Sequence, residues 1–133
     1  MDANAVGRSF PDAFGNYRLA EQTGVSLNAT GDATTLVAQA ATKYIVRRIS
    51  LSNFSGNGSG ANVGVFTAAS GGGTTIAADQ TISGATGATK FVDLVLASAA
   101  NSDVQTAKVL YVNVSANAAV TCDVALYGDI VSL

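Results

Sequence analysis

The sequence predicts an all-β fold of antiparallel strands. Short runs alternate apolar and polar residues, Gly-, Asn- and Ser-rich turns separate them, and the Ala-rich patches are too short for a helix. Many short strands with frequent turns point to a sandwich or a barrel. Residues 1–16 show no period of 2 or 3.6 yet carry Arg8, Phe10, Pro11 and Phe14. They are expected to form an extended N-terminal arm, with the β domain at 17–133. The phenylalanines favour an arm ordered against a partner over a frayed tail.

The runs follow in order: Tyr17 to Glu21, Gly24 to Asn28, Thr34 to Gln39, Lys43 to Phe54, Asn62 to Thr67, Thr74 to Ala77, Lys90 to Leu96, Lys108 to Ser115 and Ala119 to Val131. Turns are expected at Asn28 to Asp32, Ser55 to Gly60, Ser70 to Gly73, Ser83 to Gly87 and Ser115 to Asn117. In the last run Val120, Cys122, Val124 and Leu126 share one face, so that face is core and the other is wet. The run before it alternates Leu110, Val112 and Val114 with Val109, Tyr111, Asn113 and Ser115. The turn from Ser115 to Ala118 predicts a hairpin between these two strands. Near Lys90 both faces are partly apolar, and the side carrying Phe91, Asp93 and Val95 is a candidate interface. A helical turn could form around Ala38 to Ala41 and around Ala97 to Ala100.

Composition narrows the function. At 133 residues the chain fits one domain, and Ala, Gly, Ser and Thr account for 63 positions, so most of it is scaffold. A net charge of -2 argues against whole-chain electrostatic binding to nucleic acid. No His is present, which removes the commonest general base and metal ligand. The single Cys makes no intrachain disulfide, so no oxidising compartment is implied. Asp2 stands where a secretory leader would be basic, and no apolar run approaches membrane-spanning length. Synthesis in a cytoplasm, and no membrane partner, are the expectations.

Candidate chemistry is sparse. Gly56 to Gly60 lies between two strand-like runs with no Lys following, which reads as a hairpin loop rather than a phosphate cradle. Cys122 falls on the core face and reads as a buried structural thiol. Asp79, Asp93, Asp103, Asp123 and Asp129 are dispersed, without a metal-ligand pattern. Sequons such as Asn53-Phe54-Ser55 are expected by chance in a chain rich in Ser, Thr and Asn. No catalytic, cofactor or metal site is expected, and the chain is not expected to be an enzyme. The more informative residues are Arg47 and Arg48. Arg47 shares parity with Ile45, Ile49 and Leu51, so it must meet a carboxylate, escape at a rim or lie in a subunit contact, unless a bulge resets the register. Tyr44 and Val46, on the other side, form a second candidate contact surface.

The segment Phe66-Thr67-Ala68-Ala69-Ser70-Gly71-Gly72-Gly73-Thr74-Thr75-Ile76-Ala77-Ala78, then Leu110-Tyr111-Val112-Asn113-Val114 and the ending Val124-Ala125-Leu126-Tyr127-Gly128-Asp129-Ile130, resembles the decoration (cement) proteins of tailed bacteriophage capsids. The likeness covers about Tyr44 to Val131. It implies a β-sandwich, jelly-roll-like subunit that forms a small homo-oligomer, a trimer rather than a dimer, and clamps neighbouring major capsid protein subunits on the outer virion surface. No active-site residues come with it. The capsid or subunit contacts are then expected at Arg8, Phe10, Phe14, Arg18, Tyr44, Arg47 and Arg48. A different class, the carbohydrate- or receptor-binding module of a tail or fibre, is the alternative, since a β-sandwich serves both.

Overall fold

The computed structural model describes residues 17–38, 41–100 and 102–132. It forms two antiparallel four-stranded sheets packed as a β-sandwich. The strands are β1 (Tyr17–Ser26), β2 (Gly31–Val37), β3 (Lys43–Ser52), β4 (Asn62–Ala68), β5 (Gly72–Thr81), β6 (Phe91–Asp93), β7 (Val109–Ala116) and β8 (Thr121–Ser132). One sheet has the order β1-β8-β3-β6 and the other β2-β7-β4-β5. The pairings are nested: β4 with β5, β3 with β6, β2 with β7 and β1 with β8. The chain therefore doubles back at the β4–β5 turn as one long antiparallel hairpin, rolled until β8 also pairs with β3 and β7 with β4.

The innermost turn follows from its residues. Ser70, Gly71 and Gly73 all have positive φ, a conformation that glycine adopts without steric cost. Ser70 accepts it because its N–H is held by the Asp32 carboxylate at 2.9 Å. The core then fills from both sheets. Cys122, Val124 and Leu126 of β8 and Ile49 and Leu51 of β3 face Leu110, Val112 and Val114 of β7 and Val63 and Val65 of β4. Each such aliphatic side chain contributes on the order of 1.5–3 kcal/mol when fully buried. The alternation expected for the last two strands is therefore the alternation observed.

Several expectations need correction. The runs at Tyr17 and Gly24 form a single strand. Gly24, at φ +64°, occupies an irregularity between Gln22 and Val25, and its N–H donates to the Asp123 carboxylate at 3.0 Å. Here glycine marks a bulge inside a strand and not a break. The hairpin predicted at Ser115 to Ala118 is not formed. β7 and β8 lie in opposite sheets, because each must turn its apolar face toward the other. Their link runs beside the β1–β2 turn, where Leu27 bonds Val120 and Ala118 through the backbone.

Gly56 to Gly60 likewise joins the two sheets and is not a hairpin loop. Gly58 is buried, and a Cβ there would stand 2.9 Å from Val120 Cγ2, so close packing explains this glycine. The run at Lys90 is paired only over Phe91–Asp93. Beyond it the chain crosses between the sheets: Leu94 N–H bonds Ile49 O, and Ala97 N–H bonds Ile76 O. Between those points the Gln80 side chain bonds both the N–H and the carbonyl of Val95, standing in for a strand partner. Around Ala97 to Ala100 a turn forms, closed by Ala100 N–H to Ala97 O.

Candidate functional site

Of the residues expected to make contacts, Arg18, Arg47 and Arg48 lie on the outward face of the β1-β8-β3-β6 sheet, and a bulge in β3 puts the two β3 arginines there. Tyr44 and Val46 point into the core, but so do Ile49 and Leu51, three and five residues on from Val46. The β3–β8 register slips by one residue between Val46 and Arg48. Arg47 is the extra residue, which frees both arginines from the interior. The bulge set against an inward Arg47 is the outcome.

Each arginine meets a carboxylate. Arg47 Nε donates to Asp129 Oδ2 at 2.9 Å, and Asp129 is only 8% exposed, so its charge is held by an ion pair at the sheet surface. Arg48 Nε donates to Asp93 Oδ1 at 2.7 Å across β3 and β6. The Arg48 guanidinium carbon also lies 5.6 Å from the ring centroids of both Phe91 and Tyr127. Two aromatic faces at that distance hold the cation in place. Arg18 pairs in register with Tyr127, which pairs with Arg48, so the three side chains form one row. Arg18 itself bridges Glu21 at 3.3 Å, a solvated pair worth little to stability. Phe91 is 59% exposed and Val95 75%, so the candidate interface near Lys90 is open to solvent in this chain.

Tyr44 does not belong to this surface, which corrects the sequence reading. It is fully buried, and its hydroxyl donates to the Ala107 carbonyl. Parity alone could not place it, because the bulge reverses inside and outside along β3. Arg8, Phe10 and Phe14 lie outside the described residues. Phe91 stands on the side of the Lys90 run expected to be a candidate interface, and it joins the cluster. Tyr127 is the contributor that sequence reasoning missed, although it stood on the wet parity of its strand.

Burial pushes the Cys122 thiol up from 9.0 to about 12, with the neighbouring Asp123 carboxylate adding to the effect. Burial also pushes the Tyr44 phenol up from 10.0 to about 12. Both groups are therefore neutral near pH 7. The unfolded chain loses these protons near pH 9 and 10 while the folded chain keeps them to about pH 12. Their stabilising contribution is complete below pH 9 and declines above it, by up to about 1.4 kcal/mol per pH unit for each group. The urea midpoint is expected to fall between pH 9 and 11, and less steeply in Cys122→Val. Equal midpoints at pH 8 and 11 would contradict this.

Among the described residues no group of three or more His, Cys, Asp or Glu is placed to hold a metal ion. Where the β1–β2, β3–β4 and β7–β8 connections meet, an open hollow of about 170 Å³ is lined by Ser26, Asn28, Ser55, Ala119, Val120 and Thr121. Hydroxyls and an amide in such a hollow can hydrogen-bond a neutral polar group. The Arg48 cluster can do something different: present a fixed cation framed by apolar rings to another surface. No family model, no curated protein and no solved structure matches this chain.

Proposed function

We propose that this chain is a structural virion protein that binds the outer surface of a tailed-phage capsid and stabilises it by bridging neighbouring subunits of the major capsid protein. The observation that carries the reading is the Arg48, Phe91 and Tyr127 cluster on an open sheet face. Arginine and aromatic residues held rigid dominate the energetics of protein interfaces, because little side-chain freedom is lost when a partner arrives. The strand orders β1-β8-β3-β6 and β2-β7-β4-β5 support a jelly-roll reading of the sandwich, an architecture shared by viral shell proteins and lectins. In this account residues 1–16 form an arm that reaches capsid subunits, and the body assembles as a homo-oligomer, with a trimer favoured. Repetition over a symmetric shell multiplies weak contacts into firm attachment.

Cosedimentation with undecorated heads tests this. Phe91→Ala is expected to weaken binding by roughly fivefold or more, the loss of an interface anchor worth over about 1 kcal/mol, while leaving the fold intact. Removal of residues 1–16 is expected to leave a folded oligomer that no longer decorates heads. Full occupancy by the truncated protein would sink the arm assignment, and unchanged binding by Phe91→Ala would sink the face. The second reading, a carbohydrate- or receptor-binding module, has the hydroxyl-lined hollow in its favour. Glycan-array binding that is lost in Ser55→Ala, with no binding to heads, would reverse the ranking.

A further inference from the structure

The outward face of the β1-β8-β3-β6 sheet is laid out in rows that complement one another. Register sets Arg18, Tyr127 and Arg48 side by side in one row. The next row on the same face holds Glu21, Ala125, Ser50 and Asp93, one residue from each strand of the sheet. Residues i and i+2 of a strand share a face about 7 Å apart, so Tyr127 with Ala125, and Arg48 with Ser50, fix the spacing of the rows. The first row is basic at both ends with a ring between. The second is acidic at both ends with two small side chains between.

Both rows are accessible at their charges. The side chains of Arg18 and Glu21 are 57% and 37% exposed, and those of Arg48 and Asp93 are 42% and 46% exposed. Among the described residues Arg48 bonds Asp93 through Nε, which leaves its terminal nitrogens as donors. Ala125 and Ser50, at 9% and 8% exposure, form a floor between Tyr127 and Arg48 on one side and Asp123 and Ser52 on the other.

Such a face fits itself. Turned by half a revolution about an axis along the rows and midway between them, a second copy lays its basic row over the first copy's acidic row. Its Arg18 then meets Glu21, its Tyr127 stands over Ala125, and its Arg48 lands over Ser50, one strand spacing of about 5 Å from Asp93. Within one chain Arg48 already spans the diagonal to Asp93, so the reach is sufficient. A two-fold contact makes each of these meetings twice.

We propose that two copies of this chain pair through the outward face of this sheet, each basic row on the other's acidic row and each Tyr127 ring seated on the other's Ala125 and Ser50. Charge complementarity sets the register, and the large ring over small residues supplies the packed contact. This goes beyond the adhesion proposed above and needs no capsid. Because it occupies the Arg48 face, a copy that binds a shell has to leave its pair. Being two-fold, the contact joins monomers or whole trimers alike.

Sedimentation of the full-length chain tests it. At low salt the mean mass is expected to double as concentration rises, and to fall back in high salt. Arg48→Glu and Asp93→Arg each set like charges against one another at the contact, so each alone is expected to halve the mass of the paired protein. Mixed one to one, the two variants bring Glu against Arg and Arg against Asp, and the paired mass should return. Such a rescue cannot come from misfolding. Ala125→Leu raises the floor under Tyr127 without touching a charge, should also halve the mass, and decides the matter where a charge variant fails to fold. A parent mass that stays constant with concentration would overturn the proposal. So would a paired mass indifferent to these substitutions, or a mixture of the two folded charge variants that stays unpaired.

Discussion

Gly128→Ala is expected to leave little folded protein. Gly128 lies in β8 between Tyr17 of β1 and Val46 of β3, beside the bulge that turns Arg47 outward. A Cβ at this position would stand 1.9 Å from the Ile45 carbonyl oxygen and 3.0 Å from both Ile45 C and Leu19 Cδ1. Backbone cannot step aside as a side chain can, so β3 and β8 would have to separate in the middle of the sheet. The expected cost exceeds about 4 kcal/mol, a large share of the roughly 5–15 kcal/mol that stabilises a domain. Soluble yield and the urea midpoint check it. Gly60→Ala, where a Cβ meets nothing within 4 Å, is the control and is expected to change the midpoint little. A Gly128→Ala protein as stable as the parent would show that the close approach of β3 and β8 is misplaced.

Tyr44→Ala is the second large effect. The ring is fully buried at the start of β3, and the hydroxyl ties that strand to the Ala107 carbonyl ahead of β7. Truncation leaves a cavity and loses the transfer energy of an aromatic side chain, a cost of about 3–5 kcal/mol. Tyr44→Phe separates the two contributions. It keeps the ring but leaves the carbonyl without its donor, at about 1–3 kcal/mol. Denaturation of the three proteins at pH 7 gives the ordering. A Tyr44→Phe variant as destabilised as Tyr44→Ala would contradict the packing argument, and a neutral Tyr44→Ala would contradict the burial of this residue altogether.

Much of the strand content was legible because β periodicity is local. The alternation from Val120 to Leu126 and from Leu110 to Val114 marks the core faces of β8 and β7 without reference to anything distant. Sheet partnership was not legible. Adjacent strands joined by a short link are ordinarily read as a hairpin, yet Ser115 to Ala118 carries the chain from one sheet to the other, since both strands bury the same parity against each other. Glycine was ambiguous for the same reason. Gly24 is a bulge, Gly58 a packing contact and Gly71 a turn, and no local pattern separates these uses.

The candidate face shows both sides of this. Arg47 and Arg48 stood out because a charge on an apolar parity demands an explanation, and the one-residue slip in β3 supplies it. That slip also moved Tyr44 from a contact surface into the core. Phe91 and Tyr127 are 36 residues apart in the chain and converge on Arg48 only through two different strand pairings, β3 with β6 and β3 with β8. Such a convergence depends on register, and register is fixed by the rolled hairpin as a whole.

The most direct test of the proposed capsid adhesion is electron cryomicroscopy of undecorated tailed-phage heads incubated with the purified protein. The account predicts added density on the outer shell at fixed symmetry positions, fitted by the two-sheet body with the Arg48 face toward capsid subunits. Heads that stay bare at saturating protein would contradict it.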